Sequence, residues 1–165
     1  MYYVEVLGCL KFLPALRAYS PDDWAQLCVI HDAARLDELR ASGLADAFLS
    51  LEQTADGEGL FDGEVFVAES EGEVCGFVAY FEGELTWLYV DPGRYKQGIG
   101  RQLLRHAIAA CGGGIFTQVL CRNEPALALY LREGFEIVRR VDGKLTGNEV
   151  FAASGHLLQR TASEA

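Results

Sequence analysis

Apolar and polar positions follow two different periods along this chain, and the changeovers mark its elements. Ser20-Pro21-Asp22-Asp23 sets a capping hydroxyl before a proline and two acids, which predicts a helix start. A second helix is expected next, capped by Asp32, with Leu36 and Leu39 on one side and Gly43 at its end. Residues 53–63 hold Gly57, Gly59 and Gly63 among acids and read as a loop with no apolar surface to bury. From Glu64 the period shortens. Runs at 65–68, 74–81 and 85–90, split by Glu/Gly turns, predict consecutive antiparallel strands. Leu103, Leu104, Ala107, Ile108 and Cys111 then recur at helical spacing up to Gly112-Gly113-Gly114. The order repeats as a strand at 115–122, a helix at 125–133 closed by Gly134, and a strand at 135–141. A last strand at about 149–157 follows a turn at Asp142-Gly143 or Thr146-Gly147. These elements predict an α/β (α+β) chain with a mixed sheet and helices on both faces.

Composition narrows the function more than the fold. The 165 residues, half of them hydrophobic, support one sizeable core, and a single domain over 1–165 is expected. A formal charge of −10 argues against nucleic acid as a partner, because polyphosphate binding needs clustered Lys and Arg; a cationic partner fits better. Five cysteines, odd in number and without C-x-x-C spacing, argue against a disulfide framework and against a metal site. No signal peptide and no membrane-spanning run is legible, so a cytoplasmic protein is expected. Residues 1–11 fit an extra edge strand, a homodimer contact or a misplaced start, and sequence alone leaves these open.

Chemistry concentrates where a strand meets a helix, at Val90-Asp91-Pro92-Gly93-Arg94-Tyr95-Lys96-Gln97-Gly98-Ile99-Gly100-Arg101. Pro92 stops the strand, the glycines allow close backbone approach, and the free N–H groups of the first helical turn point at whatever lies there. That suits a diphosphate, aided by the helix dipole and by Arg94, Lys96 and Arg101. The competing reading is a tight turn with a solvated basic edge. Neither a nucleotide P-loop nor a dinucleotide fingerprint fits, since Gly-Lys-Ser/Thr is absent and Leu103 stands where a third glycine belongs. Downstream, Asn123-Glu124-Pro125-Ala126-Leu127-Ala128-Leu129-Tyr130-Leu131-Arg132-Glu133-Gly134-Phe135 forms a second motif.

Val-Asp-Pro, Gln-Gly-Ile-Gly-Arg and N-x-x-A-x-x-x-Y-x-x-x-G-F, in this order over residues 84–135, resemble the GNAT superfamily of acyl-coenzyme A-dependent N-acyltransferases. The resemblance implies a mostly antiparallel, twisted sheet of about six to seven strands and acetyl-CoA as co-substrate, without a metal. It assigns Leu88, Tyr89 and Val90 to the pantetheine arm, with the Val90 amide as oxyanion donor. The amides of Tyr95, Lys96, Gln97, Gly98, Ile99, Gly100 and Arg101 would receive the pyrophosphate. Asn123 would lie beside the arm, and Tyr130 would act as general acid toward the thioester sulfur. One departure stands out: Tyr95 occupies the position where the family has Arg or Gln, so side-chain contacts to phosphate are less secure than backbone ones.

Transfer of an acetyl group to a primary amine needs a base, since an amine of pKa about 10.4 is roughly one part in a thousand neutral at pH 7. Of the family's two usual positions for a Glu, one is Gln118 here and the other is Glu84, six residues before Val90 and so on the same face of a regular strand. Glu84 is the expected base, directly or through a water, although Glu82-Gly83-Glu84 also reads as an acidic hairpin turn. Spacing alone would make Tyr130 a core residue; the resemblance makes it the acid. His31 and His106 read as solvated or capping groups, and Cys121, with no histidine near it in sequence, is not expected to act as a nucleophile. The activity expected is direct acetyl transfer to an amine-bearing acceptor, either a small amine or a protein Lys or N-terminus. The alternative is a non-catalytic acyl-CoA-binding sensor. Trp24, Phe48, Asp56, Glu58 and Phe61 could line a cationic acceptor site or belong to core and solvated loop.

Overall fold

A computed structural model describes residues 13–163, so the segment 1–11 lies outside the described residues. Its strands are β1 (Ala15–Ala18), β2 (Glu64–Ser70), β3 (Glu73–Phe81), β4 (Glu84–Val90), β5 (Ile115–Leu120), β6 (Glu136–Lys144) and β7 (Ala152–Arg160). They form one sheet in the order β1-β2-β3-β4-β5-β7-β6. Every neighbouring pair is antiparallel except β4 and β5, which run parallel.

Each face of the sheet has its own core. Helix α1 (Trp24–Ala41) and the short α2 (Leu51–Thr54) cover one face, where Leu27, Ile30 and Leu51 meet Phe77 and Trp87. Helices α3 (Ile99–Ala110) and α4 (Glu124–Arg132) cover the other. There Leu103, Leu104 and Ala107 meet Val78, Leu85 and Val119. The helical spacing of the α3 leucines is what buries them together. Gly76 on β3 lets α3 approach closely: a Cβ there would stand 2.9 Å from the Tyr89 carbonyl and 3.0 Å from Leu103 Cδ1.

Several sequence expectations are corrected. The chain from Trp24 to Ala41 is one continuous helix, entered through a 3₁₀ turn at Pro21–Asp23, with no break at Asp32. The Asp32 carboxylate instead accepts the Leu51 N–H at 2.8 Å, so it caps α2 and not α1. Residues 53–63 are no solvated loop, because Ala55 and Leu60 are buried in the α1-side core, Leu60 with 1% exposure. Asp142 and Gly143 sit inside β6, and the β6–β7 turn falls at Thr146-Gly147, where Gly147 has φ 78°. The four-residue β1 went unread, being too short to show a period. Among the described residues no helix is long and apolar enough to cross a membrane.

Leu60→Ala tests the corrected view of 53–63. Deleting a fully buried leucine costs about 2–5 kcal/mol, whereas a solvated loop would lose almost nothing; urea unfolding measures the difference.

Candidate active site

The site begins with a gap in the sheet. Strands β4 and β5 share a single register pair, Glu84 with Phe116, where the Phe116 N–H donates to the Gly83 carbonyl at 2.9 Å. The Thr117 hydroxyl closes the junction by donating to the Leu85 carbonyl at 2.9 Å. Beyond it the strands part. Gly76 faces Val90 across β3 and β4, and the Asp91 N–H donates to the Cys75 carbonyl at 2.9 Å, which makes Gly76–Val90 a non-hydrogen-bonded pair. By the same alternation Leu88 and Val90 both turn their N–H and C=O groups into the gap. A cleft of about 1320 Å³ runs through it, lined among others by Glu84, Leu88, Val90, Gly98, Asn123 and Tyr130.

At the open end stands the N-terminus of α3. Gly98 caps it in the left-handed region at φ 86°, and the first intrahelical bond runs from the Gln102 N–H to the Gly98 carbonyl. The N–H groups of Ile99, Gly100 and Arg101 therefore have no helical partner, the arrangement that receives a phosphate. Lys96 is also left-handed, at φ 61°. The basic side chains are less available than the sequence suggested. Arg94 bonds Glu73 at 3.1 Å, and Arg101 and Arg105 grip the two oxygens of Glu133 at 2.6 and 2.7 Å. Burial alone would raise the Glu133 carboxyl, but the two guanidiniums hold it below the usual carboxylate range. This clamp ties the first turns of α3 to the end of α4, and nothing in the spacing of Glu133 announced it.

Tyr130 lies at the closed end. It is 5% exposed, set edge-on against Phe135 with centroids 5.2 Å apart, and its hydroxyl meets that of Thr117. Burial pushes the phenol well above its ordinary range, with Thr117 pulling the other way, so it stays protonated at neutral pH. Asn123 accepts the Ala126 N–H at 3.4 Å through Oδ1 and so caps α4 while lining the cleft. Glu84 also lines the cleft, and burial raises its carboxyl. Its face differs from expectation. Tyr80 pairs with Leu85 but Ala79 with Trp87, so Thr86 bulges out of β4 and reverses the alternation. Glu84 consequently shares the α1 side with Trp87 and Tyr89, not the side of Val90.

The α1 wall carries a charged network that sequence reading had not assembled. Tyr89 donates to Glu38 at 3.3 Å, and Arg35 pairs with the same carboxylate at 2.8 Å. Glu58 lines this wall too, its carboxyl raised by burial, whereas Trp24 and Phe48 pack into the cores and Phe61 packs on Tyr19 and Trp24. His31 is buried at 2% exposure against Trp87 and Tyr89, with Nδ1 2.9 Å from Asp32, and burial lowers its pKa; it is neither solvated nor a cap. His106 lies half-buried beside Phe66 with Nε2 3.3 Å from the Tyr80 hydroxyl. Cys121 does have a histidine neighbour: pairing of β5 with β7 sets His156 Nε2 3.7 Å from its sulfur. Among the described residues no group of three His, Cys, Asp or Glu side chains could hold a metal ion.

The raised Tyr130 phenol makes alkaline stability a test of its burial. An unfolded phenol titrates near pH 10, so the contribution is complete below about pH 10 and is lost as pH rises toward the higher folded value. Tyr130→Phe should therefore show a shallower fall in melting temperature above about pH 10 than the parent protein, with Tyr19, Tyr80, Tyr89 and Tyr95, raised by burial for the same reason, contributing to the remaining slope.

Residues 61–137 match the family model for the acetyltransferase (GNAT) domain. The peptidyl-lysine N-acetyltransferase YiaC of Escherichia coli is 31% identical over 80 residues, 48% of this chain and 54% of that protein. The N-alpha-acetyltransferase RimI of Mycobacterium tuberculosis is 39% identical over 95 residues, 51% of this chain and 60% of that one. The chain thus matches little more than half the length of these relatives. In fold it resembles a GCN5-related N-acetyltransferase from Rhodopseudomonas palustris, with TM-score 0.73 at 19% identity over 91% of this chain and 96% of that one. It also resembles yncA from Salmonella typhimurium, solved with acetyl-CoA, with TM-score 0.65 at 19% identity over 92% of this chain and 95% of that one. The two motifs lie on either side of the parted strands, and the matched stretch spans both, so over residues 61–137 the chain is similar to the GNAT acetyltransferase domain.

Proposed function

We propose that this protein is an acetyl-CoA-dependent N-acetyltransferase that transfers the acetyl group directly to a primary amine. The observation that carries the reading is the gap between β4 and β5, with free helix N–H groups at its open end and the Tyr130 hydroxyl at its closed end. The residues lining the cleft fit the co-substrate. The amides of residues 95–101 would hold the pyrophosphate, the unpaired backbone groups of Leu88 and Val90 would pair with the pantetheine arm, and Asn123 would flank it.

Tyr130 would protonate the departing thiolate, for which a phenol kept protonated by burial is suited. The N–H groups of Leu88 and Val90, both turned into the gap, are the two candidate oxyanion donors. Glu84, moved by the bulge to the α1 face, would take the amine's proton from the side opposite Tyr130, directly or through a water. The amine would enter along the α1 wall, where Asp37, Glu38, Glu58, Asp62 and Glu84 outnumber Arg35 and Lys144 and favour a cationic acceptor. A protein lysine or N-terminus suits that charge, in line with the activities for which the two relatives are named.

Thermal unfolding with and without acetyl-CoA tests the co-substrate. At a hundredfold excess over Kd the stability gain is about 2.7 kcal/mol, equivalent to about 5–10 °C in a chain of this size; no saturable shift would sink the assignment. Tyr130→Phe should then lower kcat at least about 10²-fold in a thiol-release assay on lysine and N-terminal peptides, leaving the acetyl-CoA shift unchanged. Unaltered turnover with chemistry limiting would return Tyr130 to core packing.

A further inference from the structure

A second cavity, of about 430 Å³, lies at the far end of β5 and is lined by Ser42, Cys121, Arg122, Arg140, Asp142 and Ser154 among others. Nothing in acetyl transfer uses these side chains. We propose that Cys121 is a thiol–disulfide exchange site, with His156 as its base, for anionic low-molecular-weight disulfides.

Geometry builds the site from three strands. His156 faces Val119 on β5 and Arg140 on β6, so the register brings imidazole, thiol and guanidinium to one place. His156 Nε2 stands 3.7 Å from Cys121 Sγ, within contact range for a sulfur hydrogen bond. Its Nδ1 is buried and has no hydrogen-bond partner among the described residues, so no competing bond draws the ring away from the sulfur. Arg140 lines the same cavity as Cys121, and it is fixed by bonds to Asp142 Oδ1 at 3.0 Å and Ser154 Oγ at 3.2 Å. Arg122, exposed and left-handed at φ 74°, adds a second cation at the cavity mouth. Cys121 is half-buried and lines the cavity. A thiol is reactive in such a partly open, electropositive setting with a base at hand.

The other described cysteines lack it. Cys75 is fully buried and donates to the Ala68 carbonyl. Burial pushes up the thiols of Cys28, Cys75 and Cys111, and Glu52 and Asp32 add to the effect at Cys28. Burial thus keeps each of these three in the thiol form.

The exchange is balanced without further reagents. His156 Nε2 takes the thiol proton, the Cys121 sulfur bonds to one sulfur of the disulfide RS–SR, and the S–S bond breaks. RS⁻ leaves and recovers the proton from His156 as RSH, so Cys121 is oxidised as the other sulfur is reduced. The two arginines favour a disulfide carrying carboxylates or phosphates. Since Cys121 accepts the Ser42 hydroxyl bond on its carbonyl and Asn123 caps α4 two residues later, an added group would press on the mount of Tyr130.

The test uses the native full-length protein with glutathione disulfide, then alkylation of remaining thiols and peptide mass mapping. Cys121 should carry the glutathionyl group at least about tenfold sooner than Cys28, Cys75 or Cys111. That rate should drop about tenfold in His156→Gln, and the uncharged 2-hydroxyethyl disulfide should react more slowly. Arg140→Met, on an exposed strand, should remove the difference between the two disulfides. Equal rates at the four cysteines, or an unchanged Cys121 rate in a folded His156→Gln, would overturn the proposal.

Discussion

Strands β4 and β5 are held together only at one end, by the Phe116 N–H on the Gly83 carbonyl and the Thr117 hydroxyl on the Leu85 carbonyl. Past that junction the strands are free to diverge, and Leu88 and Val90 keep backbone donors and acceptors that no neighbouring strand uses. These groups line the open cleft, and the proposed co-substrate, an extended ligand with amides of its own, would pair with them. The rest of the cleft is arranged along that opening. Helix α3 presents its N-terminus at the wide end, and α4 presents Tyr130 at the narrow end.

The sheet also separates the chemistry by face. Tyr130 approaches from the side of α3 and α4, whereas the Thr86 bulge turns Glu84 toward α1. In the proposed reaction, an acid and a base on opposite sides of one thioester would each work without neutralising the other. Charge follows the same division. Lys96 and free amides mark the phosphate end, and carboxylates gather on the α1 wall around Arg35. The overall charge of −10 thus hides a cleft with a cationic end and an anionic end.

Ion pairs serve position more than charge. Glu133, its side chain 7% exposed, spends both oxygens on Arg101 and Arg105 and fixes α4 against α3. Those arginines are therefore already paired, so the proposed phosphate binding would fall chiefly to the backbone. Tyr95 can stand where the resemblance expects Arg or Gln for the same reason. At the other end of β5, Asp142 and Ser154 hold Arg140 over the Cys121 corner in a comparable way.

Local signals in the sequence were enough for the strands β2 to β6, for α3 and α4, and for the two motifs that flank the gap. Each depends on short-range rules: apolar period, a glycine that permits φ 86°, an asparagine that caps its own helix. What the sequence could not show arises between residues far apart in the chain. Asp32 looks like a cap for its own helix, but its partner is the Leu51 N–H. Glu84 shares parity with Val90 by counting, yet a single bulged residue, invisible without the β3 register, moves it to the other face. Glu133 finds Arg101, Glu38 finds Tyr89, and Cys121 finds His156 only because strands and helices pack across the sheet. Sequence by itself determined most of the elements, the resemblance over residues 84–135 and the loop proposed for the cofactor, since those follow from near-neighbour geometry. The tertiary structure alone decided which charges are already paired and from which face each group reaches the gap, because these depend on contacts no local pattern encodes.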